Sequence, residues 1–371
     1  MPHEIDIKRA QAFARQVFGF YTGGIVSLLI HIGYKHGLFD AAARGPATSA
    51  ELAARAGLNE RYVREWLGAL TTAGIFTHDA ATGAFALPAE HAICLTGDNR
   101  LNVAPVSGFI PHLGKVVPRV MEAMRDGGGV PYSEFRPEFT ELMDDAWRRI
   151  YDDALLGGFL PRVAGLTARL EAGARVADIG CGTGHAVNLM ARAYPRSTFA
   201  GYEIAEDAIA RARAEADAMG LANARFEALD VTRLPAEPKL DVIFAFDTIH
   251  DQAHPAAVLK RAHDALAPDG LFVMVDVKGT SDVREDVKNP FAPFYYGVSL
   301  MHCMTVSLAE GGAGLGTMWG EKVARRMLAE AGFTGVEVID APRPQNVIYS
   351  ARAKCADGLN EEKTRRGLTH S

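Results

Sequence analysis

"VADIGCGTGHAV", residues 176–187, sets three glycines at alternate positions, Gly180, Gly182 and Gly184, between an apolar run and the start of a helical segment. Glycine lets the backbone turn sharply there and lets a ligand lie against it with no side chain between. Asp178 stands just ahead of the turn. Dinucleotide-binding loops use the spacing G-x-G-x-x-G. Here the third glycine comes one position early, and His185 occupies the place where that pattern needs a small residue.

Working outward, the chain from Ala174 onward alternates short apolar runs with helical segments. "ARVADIG", "STFAGYEI", "ARFEALDV", "LDVIFAFD" and "GLFVMVDV" read as strands, and "EDAIARARAEADAMG" and "PAAVLKRAHDAL" as helices. That rhythm predicts an α/β fold, a parallel sheet with helices on both faces. "GVEVID" and "QNVIYSARA" are expected to close the sheet. In such a sheet ligands bind in the crevice outside the carboxyl ends of the strands. Asp178, Glu203 and Asp230 all fall at strand ends, with no Arg or Lys nearby for a phosphate. Acids at three successive strand ends suit a phosphate-free nucleoside carrying a positive centre.

The set "D-x-G-x-G-x-G", "YEI" and "ALDV", in this order and spacing, resembles the class I S-adenosylmethionine (SAM)-dependent methyltransferases. The resemblance implies a seven-stranded Rossmann-like methyltransferase sheet, SAM as cofactor, S-adenosylhomocysteine (SAH) as its product, and no metal. It implies that Glu203, followed by Ile204, accepts both ribose hydroxyls. Asp230 would accept the adenine amino group, with Leu229 and Val231 beside the ring. Asp178 and the glycine backbone would line the methionine end, and Asp247 would lie beside them.

The fourth strand ends in "DTIHDQAHP", residues 247–255. If the acceptor is a hydroxyl its proton must leave, and an imidazole with a reference pKa near ~6.5 suits that task. His250 is therefore the candidate base, and Asp251 or Asp247 the carboxylate expected to orient it. The segment resembles the His-Asp stretch that carries the base in O-methyltransferases with an N-terminal winged-helix dimerisation domain. That family has a tryptophan after His-Asp, where this chain has Gln252. The competing reading of His250 is a helix-start histidine bonded to backbone. A metal reading of His250, Asp251 and His254 is disfavoured, because H-E-x-x-H needs both histidines on one helical face, and Pro255 places the helix start after His254.

Between the fifth strand and the next helix, "NPFAPFYYGVSLMHCMTVSLAEGGAGLGTMWGEK" is rich in aromatic residues, methionine and glycine. It reads as a cap over a small apolar or aromatic acceptor, with Tyr295, Tyr296, Met301 and His302 as candidate wall residues. Oxygen is the expected acceptor atom; nitrogen, sulfur and selenium stay open, as do a SAM-binding scaffold without activity and a DNA-binding regulator.

Residues 1–95 read as a mainly helical winged-helix domain. "TSAELAARAG" and "LNERYVREWLGALTTAG" are capped helices, and "IFTHDAATGAFAL" is a hairpin. Residues 96–165 read as a helical linker or cap region, 166–354 as the methyltransferase domain, and 355–371 as a disordered tail. The whole pattern resembles bacterial SAM-dependent methyltransferases with a winged-helix domain, which implies a homodimer built on the N-terminal helices. The run "GGIVSLLIHIGY", residues 23–34, is shorter than the ~20 residues of a membrane span and is expected to be a buried helix at a domain or subunit contact. The formal net charge of −6 argues against broad binding to nucleic acid or anionic membranes. Four scattered cysteines and no signal-peptide pattern lead to the expectation of a cytoplasmic protein.

Overall fold

The computed structural model describes residues 5–353, and the tail expected from 355 to 371 lies outside the described residues. The chain divides after Gly114 into two compact units.

In the first unit, Asp6 caps the helix Ile7–Lys35 by accepting from the backbone N–H of Lys8 and Arg9. Thr48 and Glu51 form a reciprocal capping box at the helix Ser49–Ala56. In the helix Glu60–Thr72 the apolar positions Val63, Trp66, Leu67 and Leu70 are all buried, as their three- and four-residue spacing predicts. Strands β1 (Thr77–Asp79) and β2 (Ala84–Ala86) form the hairpin, and Ala47 bridges to Phe85 as a third arm of the wing. Phe39, Trp66 and Phe76 pack ring on ring at the centre, 5.3–6.3 Å apart. Gly33 makes room for them, since a Cβ there would stand 2.5 Å from the Trp66 ring.

The apolar run at 23–34 departs from expectation. It lies inside the 29-residue helix Ile7–Lys35, of which Gly33 alone is buried. This helix is long and apolar enough to cross a membrane, by length and composition. Trp66 Nε1 donates to Leu29 O and ties its second half to the rest of the unit.

The second unit is built on a seven-stranded sheet. Its strands are β3 (Arg175–Ile179), β4 (Thr198–Glu203), β5 (Ala224–Ala228), β6 (Leu240–Phe246), β7 (Leu266–Val277), β8 (Phe333–Asp340) and β9 (Asn346–Ala353). Their order is β5-β4-β3-β6-β7-β9-β8. The first five are parallel, and β9 pairs antiparallel with both β7 and β8. Successive residues alternate between two cores, because strand side chains point to opposite faces. Val242, Phe244, Leu271 and Val273 pack on one side against Leu166, Val187, Met190 and Ile209. Ile243, Ala245, Phe272 and Met274 pack on the other against Val258, Leu259, Ala324 and Leu328. The chain runs from β3 outward to β5 and returns to β6 on β3's other side, so the strand order reverses between β3 and β6 and opens a crevice at their carboxyl ends.

Candidate active site

The crevice is a cavity of about 480 Å³ lined by the ends of β3, β4 and β6, the turn after β5, and the helix Glu138–Ala154. The glycine loop forms its floor. Gly180, Gly182 and Gly184 have φ of 71°, 53° and 73°, a region that side chains rarely enter. A Cβ on Gly184 would stand 2.5 Å from Phe226 and 2.6 Å from Ala212. The loop is pinned by Gly180 N and Cys181 N, which both donate to Tyr202 O.

Glu203 lies at the cavity wall, where Gly182 N donates to Oε2 at 3.3 Å and Ala205 N to Oε1 at 3.0 Å. Burial raises its pKa, and those backbone donors offset part of the rise. Asp178 is 3 % exposed and its Oδ1 has no protein partner. Burial, and then the neighbouring Glu203, pushes its carboxyl well above the usual range. A buried carboxylate oxygen without a donor is costly unless a ligand supplies one. Asp230 caps the turn Val231–Arg233 through Oδ1, which accepts from Thr232 N and Thr232 Oγ1.

Asp178, Gly180, Gly182, Glu203, Ile204, Asp230, Asp247 and Asp251 all line the cavity. Gly184, Leu229 and Val231 do not; Leu229 and Val231 pack into the core under the sheet's other face. Tyr295, Tyr296, Met301 and His302 are also absent from the lining, to which the cap contributes Val306 and Glu310. Tyr296 donates its hydroxyl to Asp286, and Tyr295 packs on Val277, Ala292 and Met318. His302 is buried and stacks on Phe139 at 3.7 Å, so Phe139 presents the other side of that stack to the cavity.

His250 is 4 % exposed and is itself absent from the cavity lining, to which its chain neighbours Thr248 and Asp251 belong. Its Nδ1 lies 2.7 Å from Asp276 Oδ1. The orienting carboxylate is therefore Asp276, from β7, rather than Asp251 or Asp247. Burial works against a charged ring, but Asp276, followed by Cys303, outweighs it and raises the His250 pKa well above normal. Asp251 is pushed up to about 6, mainly by burial. Asp247, at the end of β6, is pushed up to about 7 by burial and then by Asp276.

The helix Glu138–Ala154, expected as part of a helical linker or cap region, has a place at the site that sequence reasoning did not assign it. It supplies Phe139, Met143, Asp144, Trp147, Arg148 and Tyr151 to the cavity. Asp144 Oδ1 accepts from Thr183 Oγ1 at 2.6 Å, and Arg148 donates to both Asp144 oxygens and to Glu215. Arg148 thus reaches the glycine loop, where no cation was expected, but two carboxylates already hold it. His185 completes the network, with Asp152 on Nε2 and Glu215 on Nδ1. The helical periodicity of this segment was legible, but nothing local in it indicates which distant loop it meets.

The residues present fit SAM. The acid-lined crevice offers the unpartnered Oδ1 of Asp178 for an ammonium and Glu203 for hydroxyl donors, and its wall contains Trp147 and Tyr151.

Comparison with known proteins agrees. Residues 24–97 match the family described as Rv2258c-like winged HTH domain, and residues 170–338 match Methyltransferase domain. Over 113 residues the chain is 37 % identical to a trans-aconitate 2-methyltransferase of Methylobacterium nodulans, covering 30 % of this chain and 42 % of that protein. It thus spans about two fifths of the length of that relative. It is 28 % identical over 287 residues to the acetylserotonin O-methyltransferase of Mus musculus, covering 71 % of this chain and 72 % of the other. The crystal structure of human N-acetylserotonin methyltransferase in complex with SAM superimposes with a TM-score of 0.65 at 16 % identity, over 95 % of this chain and 99 % of the other. Loop, strand-end acids, sheet order and winged-helix unit agree with these matches: the chain joins an Rv2258c-like winged HTH domain to a methyltransferase domain of the class I SAM-dependent fold.

Proposed function

We propose that the protein transfers the methyl group of SAM to a hydroxyl oxygen of a small, neutral, apolar or aromatic acceptor, with His250 as general base. The observation that carries this reading is the His250–Asp276 pair, 2.7 Å apart and buried at the turn that follows β6 beside the SAM crevice. SAM supplies a methyl on a sulfonium, whose sulfur keeps the bonding electron pair as SAH forms. The acceptor's O–H proton passes to the imidazole as the oxygen–methyl bond forms. Asp276 holds the ring by Nδ1, leaving Nε2 for that proton, and stabilises the imidazolium.

The charge of the cavity supports a neutral acceptor. Asp247, Asp251 and Glu310 are among the residues that line it. Among the described lining residues Arg148 is the one Arg or Lys, and it is engaged by Asp144 and Glu215. A carboxylate acceptor would meet repulsion with no free cation to receive it. The relative named for trans-aconitate matches over 113 residues only.

The test is a screen of labelled SAM with pooled phenols, alcohols, amines, thiols and selenols, followed by His250→Ala on the best acceptor. For an oxygen acceptor the substitution should cost about 10²–10⁴-fold in turnover with SAH affinity intact. Near-normal turnover would remove the base assignment. A thiol product would argue for catalysis by positioning, because a thiol ionises at lower pH than a phenol.

The DNA-binding alternative is weakened by the helix Glu60–Thr72, where Arg61 pairs with Glu65 and Arg64 with Glu60, both at 2.6 Å. A reading helix needs its cations unpaired. The homodimer expected of the family is proposed to form on the helix Ile7–Lys35, whose Phe13, Phe18, Phe20 and Tyr21 are each more than 60 % exposed. A row of this size needs a covering surface, and a second copy in the cytoplasm is the proposed one.

A further inference from the structure

The three glycines of the loop are not held alike. Gly180 is wedged against Thr248, where a Cβ would stand 2.3 Å from Cγ2, and Gly184 against Phe226 and Ala212. At Gly182, the crest between them, a Cβ would meet nothing within 4 Å. Packing therefore secures the two ends of the loop and leaves its crest to hydrogen bonds. Gly184 N donates to Cys181 O at 2.9 Å and closes the turn, and Gly182 N reaches Glu203 Oε2 at 3.3 Å, a long bond. The residue after the crest, Thr183, is buried, and its hydroxyl donates to Asp144 Oδ1 at 2.6 Å.

Asp144 is itself fixed in place to receive that hydroxyl. It stands on the helix Glu138–Ala154, and Arg148, one turn further on, donates to its Oδ1 at 2.9 Å and its Oδ2 at 3.2 Å. A forked pair of this kind sets the plane of a carboxylate as well as neutralising it. Arg148 also donates to Glu215, on the helix Glu206–Ala218, and Glu215 accepts from Asn188 Nδ2 at 2.9 Å. His185, directly after the third glycine, lies 2.9 Å from Asp152 through Nε2 and 3.0 Å from Glu215 through Nδ1. The loop is thus tied by charged and polar pairs to two helices, and Asp144 and Thr183 both line the cavity.

We propose that Asp144 and Thr183 are positioning residues for SAM: the carboxylate on the helix grips the hydroxyl beside the crest of the glycine loop and so sets the backbone against which SAM lies. This rests on the SAM reading of the crevice. The hydroxyl carries the role, because valine would fill the same space without donating. Removing it leaves Asp144 paired with Arg148, so no charge is stranded. What is lost is one hydrogen bond to a charged group, which frees Gly182 and, through it, the bond from Gly182 N to Glu203.

The experiment compares the full chain with Thr183→Val and Thr183→Ser, and needs no acceptor. In the SAM-free protein, deuterium uptake by peptides spanning residues 180–187 should be about tenfold faster in Thr183→Val and within about twofold of wild type in Thr183→Ser. SAH affinity, measured by calorimetry on the same samples, should fall about tenfold or more in the valine variant and recover in the serine variant. Asp144→Ala combined with Thr183→Val should cost less than the product of the two separate losses, since both break one bond. Should the valine variant fail to fold, Thr183→Ala takes its place. Unmoved uptake, faster uptake with SAH affinity unchanged, a serine variant that restores neither, or losses that multiply in full would each overturn the proposal. Wild-type protein that binds no SAH would remove the SAM reading, and the proposal with it, and is told apart from those outcomes because uptake is read without ligand.

Discussion

Asp247 holds a backbone conformation, φ 48°, that few side chains adopt, and Asn and Asp tolerate it best. Its carboxyl is raised from the usual 3.8 to about 7, mainly by burial. Between those values the folded chain keeps a proton that the unfolded chain has lost. Stability from this group therefore falls as pH rises from about 4 to about 7 and is flat above. Asp247→Asn should raise the Tm of the SAM-free protein at pH 8 by at least about 2–4 °C and leave it unchanged at pH 4, while weakening SAH binding. Equal Tm values at pH 8 would show that the buried charge is compensated in the free protein. Burial that costs stability and supports ligand affinity is what a site for a cationic nucleoside requires. Asp178, Glu203 and Asp230 were legible because they end apolar runs beside the glycine loop. Asp276 was hidden inside such a run, "GLFVMVDV", as one more strand position. Its pairing with His250 depends on β6 and β7 lying side by side, which the spacing of strands along the chain does not state.

At the scale of elements, the segment from Gly127 to Pro137 is a strap between the preceding helix and the helix Glu138–Ala154. Val130 N donates to Thr305 Oγ1 at 2.9 Å, and Val130 and Phe135 are wholly buried. Tyr132 lines the cavity, its hydroxyl held well up in pKa by burial and by Glu203. Gly129 lets strap and cap touch, since a Cβ would overlap the Thr305 carbonyl and stand 2.6 Å from Ala309 N. Gly129→Ala should free the strap: limited proteolysis would cut within 127–137 at least tenfold faster, and SAH would bind more weakly. An unchanged cleavage pattern would mean that the cap shifts to accept the methyl group. The sequence "DGGGVPYSEF" reads as a flexible break, because glycine and polar residues mark loops. Its order comes from contacts about 175 residues away, which no local pattern encodes. The sheet elements were legible for the opposite reason, since each carries its own period-two or continuous apolar signature. The candidate wall residues Tyr295, Tyr296, Met301 and His302 were chosen by composition. Composition cannot distinguish a ring facing a cavity from one stacked behind Phe139.

At the scale of the whole molecule, the exposed face of the helix Ile7–Lys35 is the surface on which the proposed dimer is tested. Phe18→Asp combined with Tyr21→Asp should turn a dimer into a monomer in sedimentation or light scattering without detergent. Wild-type protein that sediments as a monomer in that buffer, or partitions into vesicles, would end the dimer proposal. The helix was misread as short because its first half, "IKRAQAFARQ", is polar enough to resemble a separate segment. The antiparallel end of the main sheet has a different consequence. β9, the last strand described, is seated between β7 and the edge strand β8, so this end of the layer is completed by the described strand that leaves the ribosome last. Until Asn346 to Ala353 emerge, the nascent chain carries an unpaired apolar border along β7. An unpaired border of this kind is open to wrong pairing until β9 covers it.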